Sequence, residues 1–161
     1  MSKSLQRLVG AGAVVACSVV VIVAVGIRTK CTPVLTVVRR INRVLWNRWA
    51  METAGSPGAY ASVLRHVGRV SGRSYETPIE AIATDDGFVI ASPYARQADW
   101  LKNVLANGSA TIVDEGGTYP VDRPEMVPSG SVASYFSPRH RHAHQWFGVD
   151  ECLVLHHVAS D

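Results

Sequence analysis

The sequence predicts a mainly β domain of the α+β class, a small barrel of about six strands with short helices, behind one N-terminal transmembrane helix. Three observations carry this. Leu8 to Ile27 is an uncharged run of 20 residues. Beyond Gly58 the texture changes to short runs that alternate loosely between apolar and polar residues and are separated by turn residues. The 161 residues are 47% hydrophobic, enough to bury the core of one domain and too apolar for a disordered chain. Residues 1–30 therefore read as a membrane anchor, 31–57 as a basic amphipathic helix with a linker, and 58–161 as the barrel.

The anchor comes first. LVGAGAVVACSVVVIVAVGI is bracketed by Lys3 and Arg7 on one side and Arg28 and Lys30 on the other. As a helix it would span about 30 Å, the thickness of a hydrocarbon core. Two processing alternatives stay open: Ala24-Val25-Gly26 has the small-x-small form of a signal-peptide cleavage site, and Val14-Val15-Ala16-Cys17 resembles a lipoprotein cleavage box. More apolar residues follow Cys17, where a mature lipoprotein would turn polar. Arg28, Lys30, Arg39, Arg40, Arg43 and Arg48 outnumber Lys3 and Arg7, so the positive-inside rule places the C-terminal domain on the cytoplasmic side of a single-pass protein.

Thr32-Pro33 has the form of an N-cap and a first-turn proline, and Val34, Val37, Val38, Ile41, Leu45 and Trp49 follow at helical spacing. With Arg39, Arg40, Arg43 and Trp46 beside it, this stripe suits the membrane interface, and it suits packing on the domain as a first core helix equally well. Gly55-Ser56-Pro57-Gly58 ends the helix.

In the barrel, Tyr60 to Val67, Thr77 to Thr84 and Gly87 to Ser92 read as a three-stranded meander, the last two strands joined at Asp85-Asp86-Gly87. Pro93-Tyr94 ends it. Ala98 to Asn107 reads as a helix closed by Asn107-Gly108, with Leu101, Val104 and Leu105 on one side and Trp100, Asn103 and Asn107 on the next. Ser109 to Asp114 and Thr118 to Val121 form a hairpin around Gly116-Gly117, Gly130 to Ser137 is a weak helix, and Glu151 to Val158 is the closing strand.

The net charge of +3 hides an uneven distribution: basic residues crowd the first 73 positions, and acids fall at Glu52, Glu76, Glu80 and from Asp85 onward. A basic half beside an apolar run favours a lipid surface, and no nucleic-acid-binding motif is present. Cys17, Cys31 and Cys152 have no paired spacing, so no disulfide framework follows. His140-x-His142-x-His144 invites a metal, but Arg139 and Arg141 add repulsion and no carboxylate or cysteine lies within the run, so no metal is assigned. His156-His157 read as an in-and-out strand pair, and Cys152 as a space-filling strand residue. Asp99 and Asn107 read as caps.

The stretch HVGRVSGRSYETPI, His66 to Ile79, joins two strands through a turn with Gly68, Arg69, Ser71, Gly72 and Arg73. Backbone amides and two guanidinium groups converging on one spot hold phosphate or carboxylate; the same composition also makes an ordinary solvated basic hairpin. Asn103, an amide on the shoulder of an apolar helix face, needs hydrogen-bond partners that a ligand would supply, whereas Trp100 serves equally as a core residue.

Gly68-Arg69-x-Ser71-Gly72-Arg73, then Thr77-Pro78 opening a strand, Ala91-Ser92, Trp100-x-x-Asn103 and Ala106-Asn107 together resemble the deazaflavin-dependent nitroreductase family. Its members are split β-barrel proteins that bind coenzyme F420 and pass its hydride to quinones or nitro compounds. The resemblance runs from about Gly58 to Val113, about a third of the chain. It implies that Arg69, Ser71, Gly72 and Arg73 hold the cofactor's phosphate and acidic tail, that Pro78, Ala91 and Ser92 approach the cofactor, and that Trp100 and Asn103 flank its ring or linker. The cofactor supplies the bond-making chemistry, so no catalytic acid or base is obligatory; Tyr94 and Tyr135 are candidates for placing a proton on the acceptor.

Val70, Tyr75 and Pro93-Tyr94 depart from the family's pattern, where basic residues are usual; Arg65, Arg69, Arg73, Arg96 and Lys102 offer compensation. The departures keep flavin mononucleotide as a second choice of cofactor, and a non-catalytic binding or scaffolding barrel with a degenerate site as the competing function. The expectation is thus a membrane-anchored oxidoreductase using reduced F420 to reduce a lipophilic acceptor such as a quinone or nitro compound, touching membrane lipid, and pairing as a homodimer as barrels of this class often do.

Overall fold

The computed structural model describes residues 21, 23–26, 28–29, 31–41, 47–91 and 95–158. Most of the 8–27 run lies outside them, as do Ser92, Pro93, Tyr94, Arg43, Leu45 and Trp46. Among the described residues no helix is long and apolar enough to cross a membrane.

The first element with complete bounds is helix α1, Thr32–Ile41, where Thr36 Oγ1 donates to the Thr32 carbonyl. Of its apolar stripe, Val34 and Val38 are half-covered and Val37 is exposed. A single turn, α2 (Asn47–Ala50), follows, with Trp49 exposed. The Gly55–Gly58 turn is hydrogen-bonded to the barrel. Gly116 N donates to Gly55 O at 2.7 Å, and Gly58 N donates to a Glu115 carboxylate oxygen at 2.9 Å.

The strands are β1 (Ser62–Val67), β2 (Ser74–Ile79), β3 (Ala81–Thr84), β4 (Gly87–Ala91), β5 (Ser109–Asp114), β6 (Gly117–Pro128) and β7 (Glu151–His157). They form one sheet in the order β2-β1-β5-β6-β7-β4-β3. The expected Thr77 to Thr84 strand is therefore two, and the expected meander does not form: β2 pairs with β1 and β3 with β4, each antiparallel, at opposite edges of the sheet. Yet only Glu80 separates them. One intervening residue holds flanking Cα atoms within about 7 Å, so the two edges must meet and the sheet must curl. Pro78 is tolerated because β2 is an edge strand, where a missing N–H costs no inner ladder bond.

Two hairpins have two-residue loops. Asp114 pairs with Gly117, and both Glu115 (φ 48°) and Gly116 (φ 78°) are left-handed, as a twist-matching hairpin turn requires. Strand β6 is three times the expected length. It pairs with β5 through its first half and with β7 through its second, with a register shift between Asp122 and Glu125 at Arg123 (φ 49°), a bulge that bends it around the barrel.

Helix α3, Asp99–Asn107, is closed by Gly108 at φ 72°, as its Asn-Gly end predicts. Its N-cap is Ala98, so Asp99, expected as a cap, stands one residue later in the first turn. Leu101 and Val104 enter the barrel interior with Leu64, Ile79, Phe88, Ile90, Ile112, Val121, Leu153 and Leu155. Strand alternation builds a second cluster outside: Val89 between Phe88 and Ile90, and Cys152 and Val154 beside Leu153 and Leu155, lie under Val132, Phe136 and Val149. Cys152 fills space there, and burial pushes its thiol up to about 11.

The weak helix expected over Gly130 to Ser137 is only a 3-10 turn at Ala133–Tyr135. The true helix, α4 (Pro138–Phe147), starts where Ser137 accepts from His140 N and Pro138 takes the first turn. It carries the histidine run. His140 Nε2 meets Glu80 at 3.2 Å, His142 bonds the Pro138 carbonyl and His144 packs edge-on against Phe136, so the three serve three separate purposes. Arg28 donates to the Gln145 and Trp146 carbonyls at the far end, where its charge meets the helix's partial negative pole.

The closest backbone approach yields a test. Gly87 has φ 155°, and a Cβ there would overlap the Leu155 carbonyl oxygen and lie 2.8 Å from His156 Cα. Gly87→Ala is expected to cost at least about 2 kcal/mol in urea unfolding, because the β4–β7 ladder must part to admit the methyl group.

Candidate functional site

The site grows from the inward-facing residues at the end of β1. Leu64 points into the barrel, so His66, two residues on, does too, and only 6% of it is exposed. Its ladder partner is Tyr75, whose ring stacks on it at 5.8 Å and 20°. A buried imidazole needs partners for both nitrogens. Nε2 lies 3.2 Å from Thr77 Oγ1 and Nδ1 lies 3.2 Å from Asn103 Nδ2. Burial pushes the ring's pKa below the ordinary histidine value.

Asn103 is likewise 6% exposed. Its oxygen accepts from Arg69 N at 3.2 Å and from Arg69 Nη1 at 2.8 Å. One helical turn later, Asn107 Nδ2 donates to the Val67 and Asn103 carbonyls at 2.8 and 2.7 Å. Two amides on one face of α3 thus stitch the helix to the mouth of the β1–β2 turn. The amide partners expected from a ligand come instead from Arg69 and His66, so Asn103 acts on the site through Arg69. Asn107 is a tie between elements in addition to closing its helix.

The turn has its own internal order. Gly68 N donates to Arg73 O and Gly72 N to Gly68 O, both at 2.8 Å, with Gly72 at φ 64°. Ser71 Oγ accepts from Arg73 N and lies 3.1 Å from the Tyr75 hydroxyl. Tyr75 is therefore structural support for the turn through its ring and its hydroxyl. Val70, at the tip, is 91% exposed.

The two arginines differ. Arg69 is held by Asn103 and by Asp99, whose carboxylate lies 3.6 Å from Nη2. Arg73 is exposed, and no side-chain partner holds its guanidinium among the described residues. A Cβ on Gly72 would meet nothing within 4 Å, so the outer face of the turn is open beside Arg73. This donor set suits an anion. On the barrel's flank, Arg65, Val67, Ser74, Glu76 and Thr111 border a groove of about 330 Å³ that reaches His66 and Tyr75, with Arg65 and Glu76 paired across it at 2.9 Å.

The remaining expected positions do not converge as closely. Trp100 is half-buried against the interior core, and Pro78 is half-buried on edge strand β2. Ala91 packs in the second cluster, and Tyr135 is exposed on the 3-10 turn over that cluster. Arg96 pairs with Glu151 at 2.7 Å, which removes it from the replacements for the missing basic residues. Ser92 and Tyr94 lie outside the described residues. Sequence reasoning gave the side chains of His66 and Thr77 no role of their own; the available signal was a histidine and a threonine at the parity of inward-facing Leu64 and Ile79.

The family model described as F420H(2)-dependent quinone reductase matches residues 38–143, which span the turn and α3. No curated protein matches the chain. Similar solved structures include an F420-H2 dependent reductase, 11% identical over 60% of this chain and 93% of that one with a TM-score of 0.47. An F420 reductase is 11% identical over 68% of this chain and 92% of that one, with a TM-score of 0.43. The heme storage protein HutZ of Vibrio cholerae is 16% identical over 63% of this chain and 83% of that one, with a TM-score of 0.45.

Removing the shared amide tests the stitching. Asn103→Ala strands His66 Nδ1 and the Arg69 amide, and is expected to cost about 1–3 kcal/mol in denaturant unfolding. Faster hydrogen exchange confined to residues 67–73 and the first turns of α3 should accompany it.

Proposed function

The chain belongs to the F420H(2)-dependent quinone reductase family, and on that premise we propose that it is an oxidoreductase that binds reduced coenzyme F420 at the β1–β2 turn and reduces a lipophilic acceptor such as a quinone or nitro compound. The observation that carries this reading is the turn itself: a glycine-bent loop locked to α3 through Arg69 and Asn103, with Arg73 and the open side of Gly72 facing outward. Arg73 and the turn's amides would hold the anionic tail, and Arg69, already fixed in direction by Asn103, would add a second positive charge without paying to order its side chain. Trp100 would contribute apolar surface beside the ring. Bound F420 supplies the hydride. The protein's part is to hold the donor near the acceptor and to exclude alternatives. A proton for the acceptor would come from Tyr94 or from Tyr135, whose side chain reaches solvent.

The same reading places the protein on a membrane, anchored by the 8–27 run with the barrel in the cytoplasm. The length of that run and its basic flank support it, as does the exposure of Val37 and Trp49 just beyond it. A lipophilic acceptor dissolved in the bilayer would then be delivered to the barrel.

Titrating the full chain with F420, and with flavin mononucleotide alongside, tests the cofactor. Binding of F420 is expected, and Arg73→Ala should weaken it about tenfold, with a smaller dependence on salt than the wild type. Absence of binding to either cofactor would end the oxidoreductase reading. For the anchor, flotation with liposomes that survives an alkaline carbonate wash, together with a protease-accessible C-terminus only on the cytoplasmic side, is expected. A chain released by carbonate would refute a spanning helix.

A further inference from the structure

The hydrogen bonds around Asn103 determine where protons must sit. Arg69 presents only donors to Asn103, its backbone N–H at 3.2 Å and Nη1 at 2.8 Å. The atom of Asn103 that meets them must be the oxygen. The NH2 group therefore faces His66 Nδ1 at 3.2 Å, and Nδ1 must accept. The imidazole proton is left on Nε2, pointing at Thr77 Oγ1, which can accept it. Proton placement on His66 thus follows from the chemistry of Arg69, two hydrogen bonds away.

We propose that His66 is a positioning residue of the anion-binding turn: as the neutral Nε2–H tautomer it orients Asn103, Asn103 orients Arg69, and protonating His66 releases Arg69 and weakens cofactor binding. The role assigned to Arg69 rests on the function proposed above. The linkage from His66 to Arg69 does not.

A protonated ring carries N–H at both nitrogens. Nδ1–H would then face the Asn103 NH2, donor against donor in a buried place. Rotating the amide by half a turn would relieve that clash, but it would put the NH2 group against the two donors of Arg69. Neither arrangement satisfies all three residues.

Among the described residues, none offers the imidazolium a counter-charge. From β2 the ring faces Tyr75, stacked on it, and Thr77; from α3 it faces Asn103. Beyond Asn103 stands the positive Arg69, whose neighbour Asp99 is already spent on it. The Arg65–Glu76 pair on the adjoining rungs is closed on itself, and β5 brings Ser109, Ala110 and Thr111 to the neighbouring groove, none of them ionisable. Burial therefore acts unopposed, which agrees with the downward displacement of the ring's pKa. That displacement favours the neutral ring, so the release follows acidification.

The experiment uses the full chain labelled with 15N-histidine and follows three quantities as pH falls: the His66 ring nitrogens by NMR, hydrogen-exchange protection of the Arg69 amide corrected for intrinsic rate, and F420 affinity. At neutral pH Nδ1 should show the shift of an unprotonated acceptor and Nε2 that of a protonated nitrogen. Arg69 protection should fall as His66 titrates, with cofactor affinity dropping about tenfold over the same range. His66→Gln, which can offer Asn103 an amide oxygen without titrating, should remove that pH dependence while the cofactor's own titration stays common to both proteins. The opposite tautomer, or Arg69 protection unchanged through the His66 titration, overturns the linkage. Affinity whose pH dependence is the same in His66→Gln overturns its effect on binding. If F420 does not bind at any pH, the proposed function and the effect on binding both fail, while the tautomer and the Arg69 exchange still decide the linkage.

Discussion

Two edge strands joined through one residue constrain everything else in this domain. Because β2 and β3 lie at opposite ends of a seven-strand order and are separated by Glu80 alone, the sheet has no flat solution. Curling creates an interior that strand side chains fill only in part, and the apolar face of α3 supplies the remainder through Leu101 and Val104. The junction is also used on its outer side. Glu80 meets His140 of α4 and the Tyr60 hydroxyl, whose pKa that carboxylate raises, so the point of closure ties the C-terminal helix to the barrel.

Placing α3 in the barrel brings polar residues to a boundary where they must be satisfied. Apolar burial positions the helix without specifying its rotation finely. Hydrogen bonds from Asn103 and Asn107 do, since a small rotation would leave several buried groups unpaired. The same bonds shape the basic turn. A loop that would otherwise be free to sample many conformations is held by the core's own geometry, and the ordering of Arg69 is complete before any ligand arrives. Arg73 has no such tie among the described residues.

Much of this was legible. Gly108 follows the Asn-Gly end of α3, the hairpin at Glu115-Gly116 follows its glycines, and the alternation of Phe88-Val89-Ile90 marks a strand. What was misread has physical causes. Thr77 to Thr84 reads as one strand because a change of sheet edge leaves the period-2 pattern untouched. The start of α4 was missed because Arg and His dominate its composition, and Ser137-Pro138 is a short signal beside them. Asn103 looked like a ligand contact because its need for partners is visible in sequence, whereas the identity of the partners, 34 and 37 positions away, is not.

The sequence by itself determined the family, the mainly β class, the basic turn and the helix that follows it, because each is written in local spacing and residue type. Tertiary structure alone decided which strands are neighbours, which arginine is held and which is exposed, and that His66 is joined to Arg69 through Asn103. Those outcomes depend on contacts between residues distant in the chain, and a hydrogen bond's partner is chosen by where the folded backbone brings it.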